Sequence, residues 1–286
     1  MRQILKRSFS FLMALVLCLS LLAGVRLPQA QAASYVANWG VRGEEATELS
    51  SSAVSFYRTA GVTYSGLAGL SGASSEAYVP TSALFKQLHQ IMTTYHTYET
   101  DYEESKNLYM YTDCQSSNTE KLTCIYCGNE YDAAWPYGGD PWNREHTWPK
   151  SKSLDGNDED VDQVDEEDIM LLRPACMGEN TSRSNKAYGS VTNDDYFYPN
   201  IEKGKNYDVR GDLARTMLYV YVRYENASYM FGTGGVIESQ ELLLEWIKED
   251  PVDTWEMGRN DAVQSITGTR NIFIDYPELA FKLFNE

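Results

Sequence analysis

The chain is expected to be α+β, a helix-rich single domain around one small β element. Three observations carry that expectation. Apolar residues recur at helical spacing through most of the final third, and Tyr, Ile, Thr and Cys alternate in short runs between 108 and 135. No internal repeat and no composition-marked linker divides the sequence.

The elements follow in order. Residues 44–60 bring Leu49, Ala53, Phe56 and Tyr57 to one helical face. Residues 61–79, rich in Gly and Ser, read as loop. Thr81 or Ser82 caps a helix through Ile91, in which Leu84, Phe85, Leu88 and Ile91 form an apolar stripe. The strand candidates are 109–112 and 122–126. Residues 136–141 and 152–168 read as loops, the second strongly acidic. Asp208 or Asp212 caps a helix carrying Leu213, Met217, Val220, Tyr221 and Tyr224. Residues 239–249 form another, which stops before Pro251. Asp253-Thr254-Trp255-Glu256 opens a third, to Ile266, and 277–284 close the chain with a short helix.

The N-terminus bears on the compartment. Arg2, Lys6 and Arg7 precede an apolar stretch over 9–23 that is short for a membrane span, and Ala30-Gln31-Ala32 has the small-x-small cleavage pattern. Residues 1–32 therefore read as a signal peptide, 33–43 as a disordered mature terminus and 44–286 as the functional domain. An extracellular monomer with no membrane contact is expected. The formal charge is −17, and removing a leader with four cations and no acids makes the mature chain more acidic. Overall charge thus argues against a nucleic-acid surface, so any phosphate-binding site has to rest on local cations. The mature chain keeps Cys114, Cys124, Cys127 and Cys176. In an exported protein these suggest two disulfides, in any of three connectivities, with a four-cysteine zinc site as the rival.

The chemistry concentrates in two stretches. The first is Trp142-Asn143-Arg144-Glu145-His146-Thr147-Trp148-Pro149-Lys150-Ser151, which holds one of three histidines in the chain. The second runs from Leu172 to Asn185 and includes Arg173, Asn180 and Arg183. Phosphodiester hydrolysis needs a base to deprotonate water and positive charge to offset the transition state. His146 suits the base. Glu145 and Asn180 offer the hard oxygen ligands that a divalent ion such as Mg2+, Ca2+ or Mn2+ takes. Arg144, Lys150, Lys152, Arg173, Arg183 and Lys186 gather six cations around the two stretches. Neighbours on a strand point to opposite faces, so Glu145 and His146 either sit at a bend or approach the phosphate from different sides.

These residues resemble the bacterial endonuclease I family of secreted and periplasmic nucleases. Arg144 to Ser151 resembles its metal-finger motif, and Asp168 to Asn185 its second motif. Asp208 to Tyr224 resembles its Gly-Asp helix, and Trp246 to Glu278 its closing segment. The resemblance covers most of 50–279. It implies a ββα-metal core, Glu145 and Asn180 as metal ligands, His146 as general base, and Arg173 or Arg183 as a further catalytic arginine. It also implies sequence-nonspecific cleavage of DNA, and of RNA in some members, with 5′-phosphate products. The chain departs from the family at Met170 and Leu171, which replace histidines, and at Ile247, Thr267, Thr269 and Ile272. An alternative follows from those losses: a degenerate member that binds nucleic acid or another polymer without cutting it. A zinc protease is poorly supported, because no two histidines are separated by three residues.

Overall fold

The structure is a computed structural model and describes residues 35–72, 82–153, 164–199 and 207–285. The expected signal peptide and most of the acidic run lie outside the described residues. Among these residues, no helix is long and apolar enough to cross a membrane.

The order begins earlier than expected. Residues 36–41 form an irregular arm that turns at Arg42 and Gly43, in place of the expected disordered terminus. Asn38 is wholly buried, and its amide donates to the carbonyls of Thr112 at 3.1 Å and Trp255 at 3.0 Å. These two bonds tie the arm to α-helical backbone far along the chain.

Helix α1 (Ser51–Ala60) starts where the Ser50 hydroxyl accepts from the Ala53 amide and ends at Gly61, whose φ of +69° makes a left-handed cap. Short α2 (Tyr64–Ala68) follows. In α3 (Ala83–Thr94) Ser82 is the cap and the expected apolar stripe is buried. Helix α4 (Ser105–Thr112) corrects the strand expected at 109–112. Leu108, Tyr109 and Thr112 fall on one buried helical face, and packing outweighs the β-rich composition. Strands β1 (Cys114–Gln115), β2 (Asn118–Thr123) and β3 (Glu130–Asp132) form an antiparallel meander.

The next elements build the site. Strand β4 (Trp142–His146) pairs antiparallel with β5 (Leu172–Cys176), and α5 (Val164–Glu167) lies between them in sequence. Helix α6 (Met177–Arg183) leaves directly from the end of β5. Strands β6 (Ala187–Tyr188) and β7 (Tyr196–Phe197) pair in parallel. The rest is helical: α7 (Arg210–Arg223), α8 (Gln240–Glu249), α9 (Thr254–Thr267), α10 (Ile272–Asp275) and α11 (Glu278–Phe284). Helix α7 is buried on every side from Gly211 to Val222 and packs against α3, α8 and α10. The cap expected at Asp253 is present, whereas the cap expected at Asp208 or Asp212 is not: α7 has Val209 at its N-cap with no side-chain cap bond, and Asp208 accepts the amides of Val209 and Arg210 just before the helix.

Arginines are among the largest fully buried side chains, and acids and carbonyls enclose them. Arg215 pairs with Glu256 at 2.6 Å, and Arg270 with Asp275 at 2.6 Å. Arg259 meets Asp113 at 3.1 Å and donates to the carbonyls of Ile169 (2.7 Å), Met170 (3.0 Å) and Leu172 (3.0 Å). A planar five-donor fork can satisfy that many acceptors, whereas an ammonium cannot. Arg259 thereby fixes the segment that enters β5. The Asp168 carboxylate fixes it from the other side, accepting from Tyr219 at 2.7 Å and Tyr224 at 2.9 Å.

The cysteines correct another expectation. Cys127 and Cys176 form a disulfide, whereas Cys114 and Cys124 are free and buried, so there is one bridge among the described residues and not two. Arg259→Ala is expected to lower unfolding free energy by about 3–5 kcal/mol, because it takes one of two guanidiniums from buried Asp113 and the same donor from three carbonyls in the core. Urea denaturation checks this, and a loss under about 1 kcal/mol would remove Arg259 as the anchor of β5.

Candidate active site

Strand geometry sorts the residues of β4. Side chains alternate, so Trp142, Arg144 and His146 share one face and Asn143 and Glu145 the other. Glu145 and His146 therefore diverge, as one of the two arrangements open to the sequence requires. The register sets Glu145 opposite Arg173 and His146 opposite Leu172.

Helix α6 covers the Asn143–Glu145 face. Asn180 donates its amide to Asn143 Oδ1 at 2.7 Å and to the Arg144 carbonyl at 2.9 Å. Both acceptors are on β4, so strand and helix are tied at this point. With Nδ2 used twice, the amide orientation is set and Oδ1 is left as the atom for another partner. Glu145 lies deeper, at 2% exposure. Its Oε1 accepts from Tyr126 at 2.5 Å and from Arg183 at 2.9 Å, and Tyr188 Oη sits 2.6 Å from Tyr126 Oη. Burial raises the Glu145 pKa, and Arg183 with the two phenols opposes that shift. The same guanidinium also donates to the carbonyls of His146 (2.7 Å) and Thr147 (3.0 Å). Arg183 thus holds the Glu145 side chain and the following backbone at once.

The other face of β4 is aromatic. The His146 ring stacks on Tyr102, with centroids 5.3 Å apart and planes 17° apart. The Arg144 guanidinium lies 3.5 Å over the same Tyr102 ring and pairs with Glu103 at 3.0 Å. Burial pushes the His146 pKa down to about 4, and Lys150, Arg183 and Arg144 push the same way. A hydrogen bond to the Glu166 main chain opposes the shift. The imidazole is therefore neutral at physiological pH, the form a general base needs.

Four of the six clustered cations are not presented as a basic surface. Arg173, expected as a candidate for phosphate contact, is 1% exposed and lies against Asp212 (3.3 Å) and Asp113 (3.4 Å). Burial and the neighbouring Arg259 lower its pKa to about 10. Arg183, the second candidate, is equally enclosed, and Lys152 points inward to the Gly235 carbonyl. Arg144 is largely covered by Tyr102. Lys150 reaches solvent but pairs with Glu166 at 2.6 Å. The excess of acids provides the reason, because buried carboxylates and carbonyls take up the guanidiniums. The departures from the family pattern fall in the core. Met170, Leu171, Thr267, Thr269 and Ile272 are fully buried and Ile247 nearly so, and the Thr269 hydroxyl donates to the Met92 carbonyl at 2.9 Å. Sequence reasoning missed Tyr102, Tyr126 and Tyr188, because tyrosine is common here and their spacing to the motifs carries no signal.

The depressed His146 pKa gives a titration test on the metal-free protein. The folded imidazole is expected to titrate near 4, below its ordinary 6.5. The unfolded chain then binds a proton that the folded one refuses, so stability falls as pH drops from about 6.5 towards 4. Imidazole NMR measures this directly. A midpoint near 6.5, or an unchanged stability slope in His146→Ala, would contradict the described enclosure of the ring.

Comparison with known proteins gives the family. The family model described as Endonuclease I matches residues 81–278. The extracellular ribonuclease of Bacillus subtilis (strain 168) is 33% identical over 226 residues, covering 71% of this chain and 74% of that protein. The extracellular ribonuclease of Bacillus amyloliquefaciens is 32% identical over 227 residues, with the same coverage. With the paired β4 and β5 leading straight into α6, and a family match across most of the chain, the protein belongs to the Endonuclease I family and is a nuclease.

Proposed function

We propose that this chain is a secreted, metal-dependent, sequence-nonspecific endonuclease. It hydrolyses phosphodiester bonds in DNA and leaves 5′-phosphate ends. RNA is a second substrate, a reading favoured by two relatives named as extracellular ribonucleases. The signal-like N-terminus and the extracellular relatives support export, and the protein acts as a monomer.

One observation carries the proposal. Asn180 is tied to the β4 face that bears Glu145, and the neutral His146 leaves the same strand on the other side. The donor set fits a hard divalent ion such as Mg2+, Ca2+ or Mn2+. Asn180 keeps Oδ1 available, and Glu145 is a buried carboxylate whose desolvation a nearby cation relieves. When bound by Glu145 and Asn180, such an ion supplies the positive charge that offsets the phosphorane-like transition state and the leaving oxygen. His146 takes the proton from the attacking water, and Tyr102 limits the ring's orientations by stacking. Arg183 works from behind, keeping Glu145 aimed and the backbone of His146 fixed. Arg173 supports β5 through Asp113 and Asp212.

The test is nicking of supercoiled plasmid and cleavage of a structured RNA by the purified mature protein with Mg2+. EDTA is expected to abolish both activities, and His146→Ala to lower them by about 10²–10⁴-fold. Full activity in His146→Ala would sink the assigned base. Activity that survives EDTA would sink the metal requirement. Inert wild-type protein with all of these metals would favour the non-cutting alternative.

A further inference from the structure

The proposed chemistry does not use the cysteines, yet three of the four in the described domain converge. Residues 124–128 turn the chain between β2 and β3. The Cys124 amide donates to the Asn129 carbonyl at 3.0 Å, and the Gly128 amide to the Cys124 carbonyl at 3.0 Å. Gly128 has φ +60°, which closes the turn at little steric expense. The CxxC pair of Cys124 and Cys127 is thereby drawn together, and β5 delivers Cys176 from 49 residues away. The three Sγ atoms lie within 4.8 Å of one another, and all three residues are buried. Cys114 is buried nearby in the meander but is not one of this group.

A disulfide needs two of these sulfurs, and Cys127 and Cys176 supply them. The third has no covalent partner. A redox relay is a poor explanation for Cys124, because burial holds its thiol well above the usual range and keeps it from becoming a nucleophilic thiolate. Geometry suits a different role. Bonds of about 2.3 Å to tetrahedral zinc place neighbouring sulfurs about 3.8 Å apart, so Cys124, at most 4.8 Å from the other two, needs to close by no more than about 1 Å, while the Cys127 and Cys176 sulfurs, freed by reduction, part by about 2 Å. A coordinated thiol is deprotonated outright, so the high thiol pKa is no bar to binding.

We infer that Cys124, Cys127 and Cys176 form a site for a soft, thiophilic cation of the Zn2+ type whenever the disulfide is open. A dithiol reductant gives two electrons and two protons to the Cys127–Cys176 bond and yields two thiols. The cation then binds three sulfurs, three protons leave, and its oxidation state does not change. A water molecule completes the tetrahedron. Ion and disulfide are alternative staples for one seam, the one between the β2–β3 turn and the start of α6. Either staple holds the helix that bears Asn180 and Arg183, so the fold has a closure for reducing as well as oxidising surroundings.

The experiment uses the full mature chain, reduced anaerobically with a dithiol, desalted, and dialysed against Zn2+ with excess Mg2+ to occupy oxygen sites. Co2+ replaces Zn2+ in a parallel sample, because its thiolate charge-transfer absorption reports sulfur ligation. The reduced chain is expected to retain one Zn2+ and to show that absorption, and the oxidised chain to show neither. Cys124→Ala is expected to lose stoichiometric binding, with Cys176→Ser losing it as well, and Cys114→Ala to keep it. Circular dichroism of oxidised Cys124→Ala, which retains the disulfide, checks that this variant folds. Reduced wild type without a bound ion would overturn the inference. So would undiminished binding in Cys124→Ala, or loss of binding in Cys114→Ala.

Discussion

The Arg183 guanidinium is the interaction on which the site depends. It sits at the end of α6 and binds the Glu145 carboxylate and the carbonyls of His146 and Thr147. Burial opposes its charge, but Tyr188, Glu145 and Tyr126 around it raise its pKa above the ordinary arginine value, so the charge is kept. A buried ion pair of this kind adds little net stability compared with apolar packing. What it adds is direction. Glu145 cannot turn away without leaving a buried cation unpaired, and the backbone before Trp148 cannot shift without losing two more bonds.

The same logic extends through the domain. Arg173, Arg215, Arg259 and Arg270 are all fully enclosed, the first three against acids or carbonyls from distant segments and Arg270 against Asp261 and Asp275 close in sequence. This accounts for an apparent conflict in the composition. A net charge of −17 is unfavourable for meeting a polyanion, and the clustered cations near the motifs looked like local relief. Most of them are internal. On the proposed reading, the substrate phosphate is met chiefly by a divalent ion on Glu145 and Asn180, and a broad basic face is not required.

Much of the fold was legible because its signals are local. Ser82, Ser239 and Asp253 cap the helices they precede, and the apolar stripe of α3 is the expected one. The Glu-His pair could be placed on a β element, and strand alternation narrowed its two side chains to a bend or to opposite faces, of which the structure has the second. The misreadings share a cause. The 109–112 run has strand-like residues but lies in a helix because Leu108, Tyr109 and Thr112 pack on one face. Residues 36–43 lack any apolar period, and bonds from Val36, Asn38, Trp39, Val41 and Gly43 to partners far away in sequence hold them. The buried surroundings of Arg173 and Arg183 were hidden from the sequence for the same reason. Whether a guanidinium faces solvent or a buried carboxylate depends on Asp113, Asp212 and Glu145, and no local pattern reveals those partners. The phenols of Tyr126 and Tyr188 are likewise known only from the packing.

A double-mutant cycle on unfolding free energy tests the Arg183 lock most directly. Arg183→Met alone is expected to cost about 3–5 kcal/mol, because it leaves the Glu145 carboxylate buried without its cation, with only a phenol donor, and two carbonyls without this donor. Adding Glu145→Gln removes the stranded charge, so the double variant is expected to recover at least about 1 kcal/mol over Arg183→Met. Strictly additive losses, with Arg183→Met and Glu145→Gln uncoupled to within about 0.5 kcal/mol, would contradict the claim that this pair organises the site.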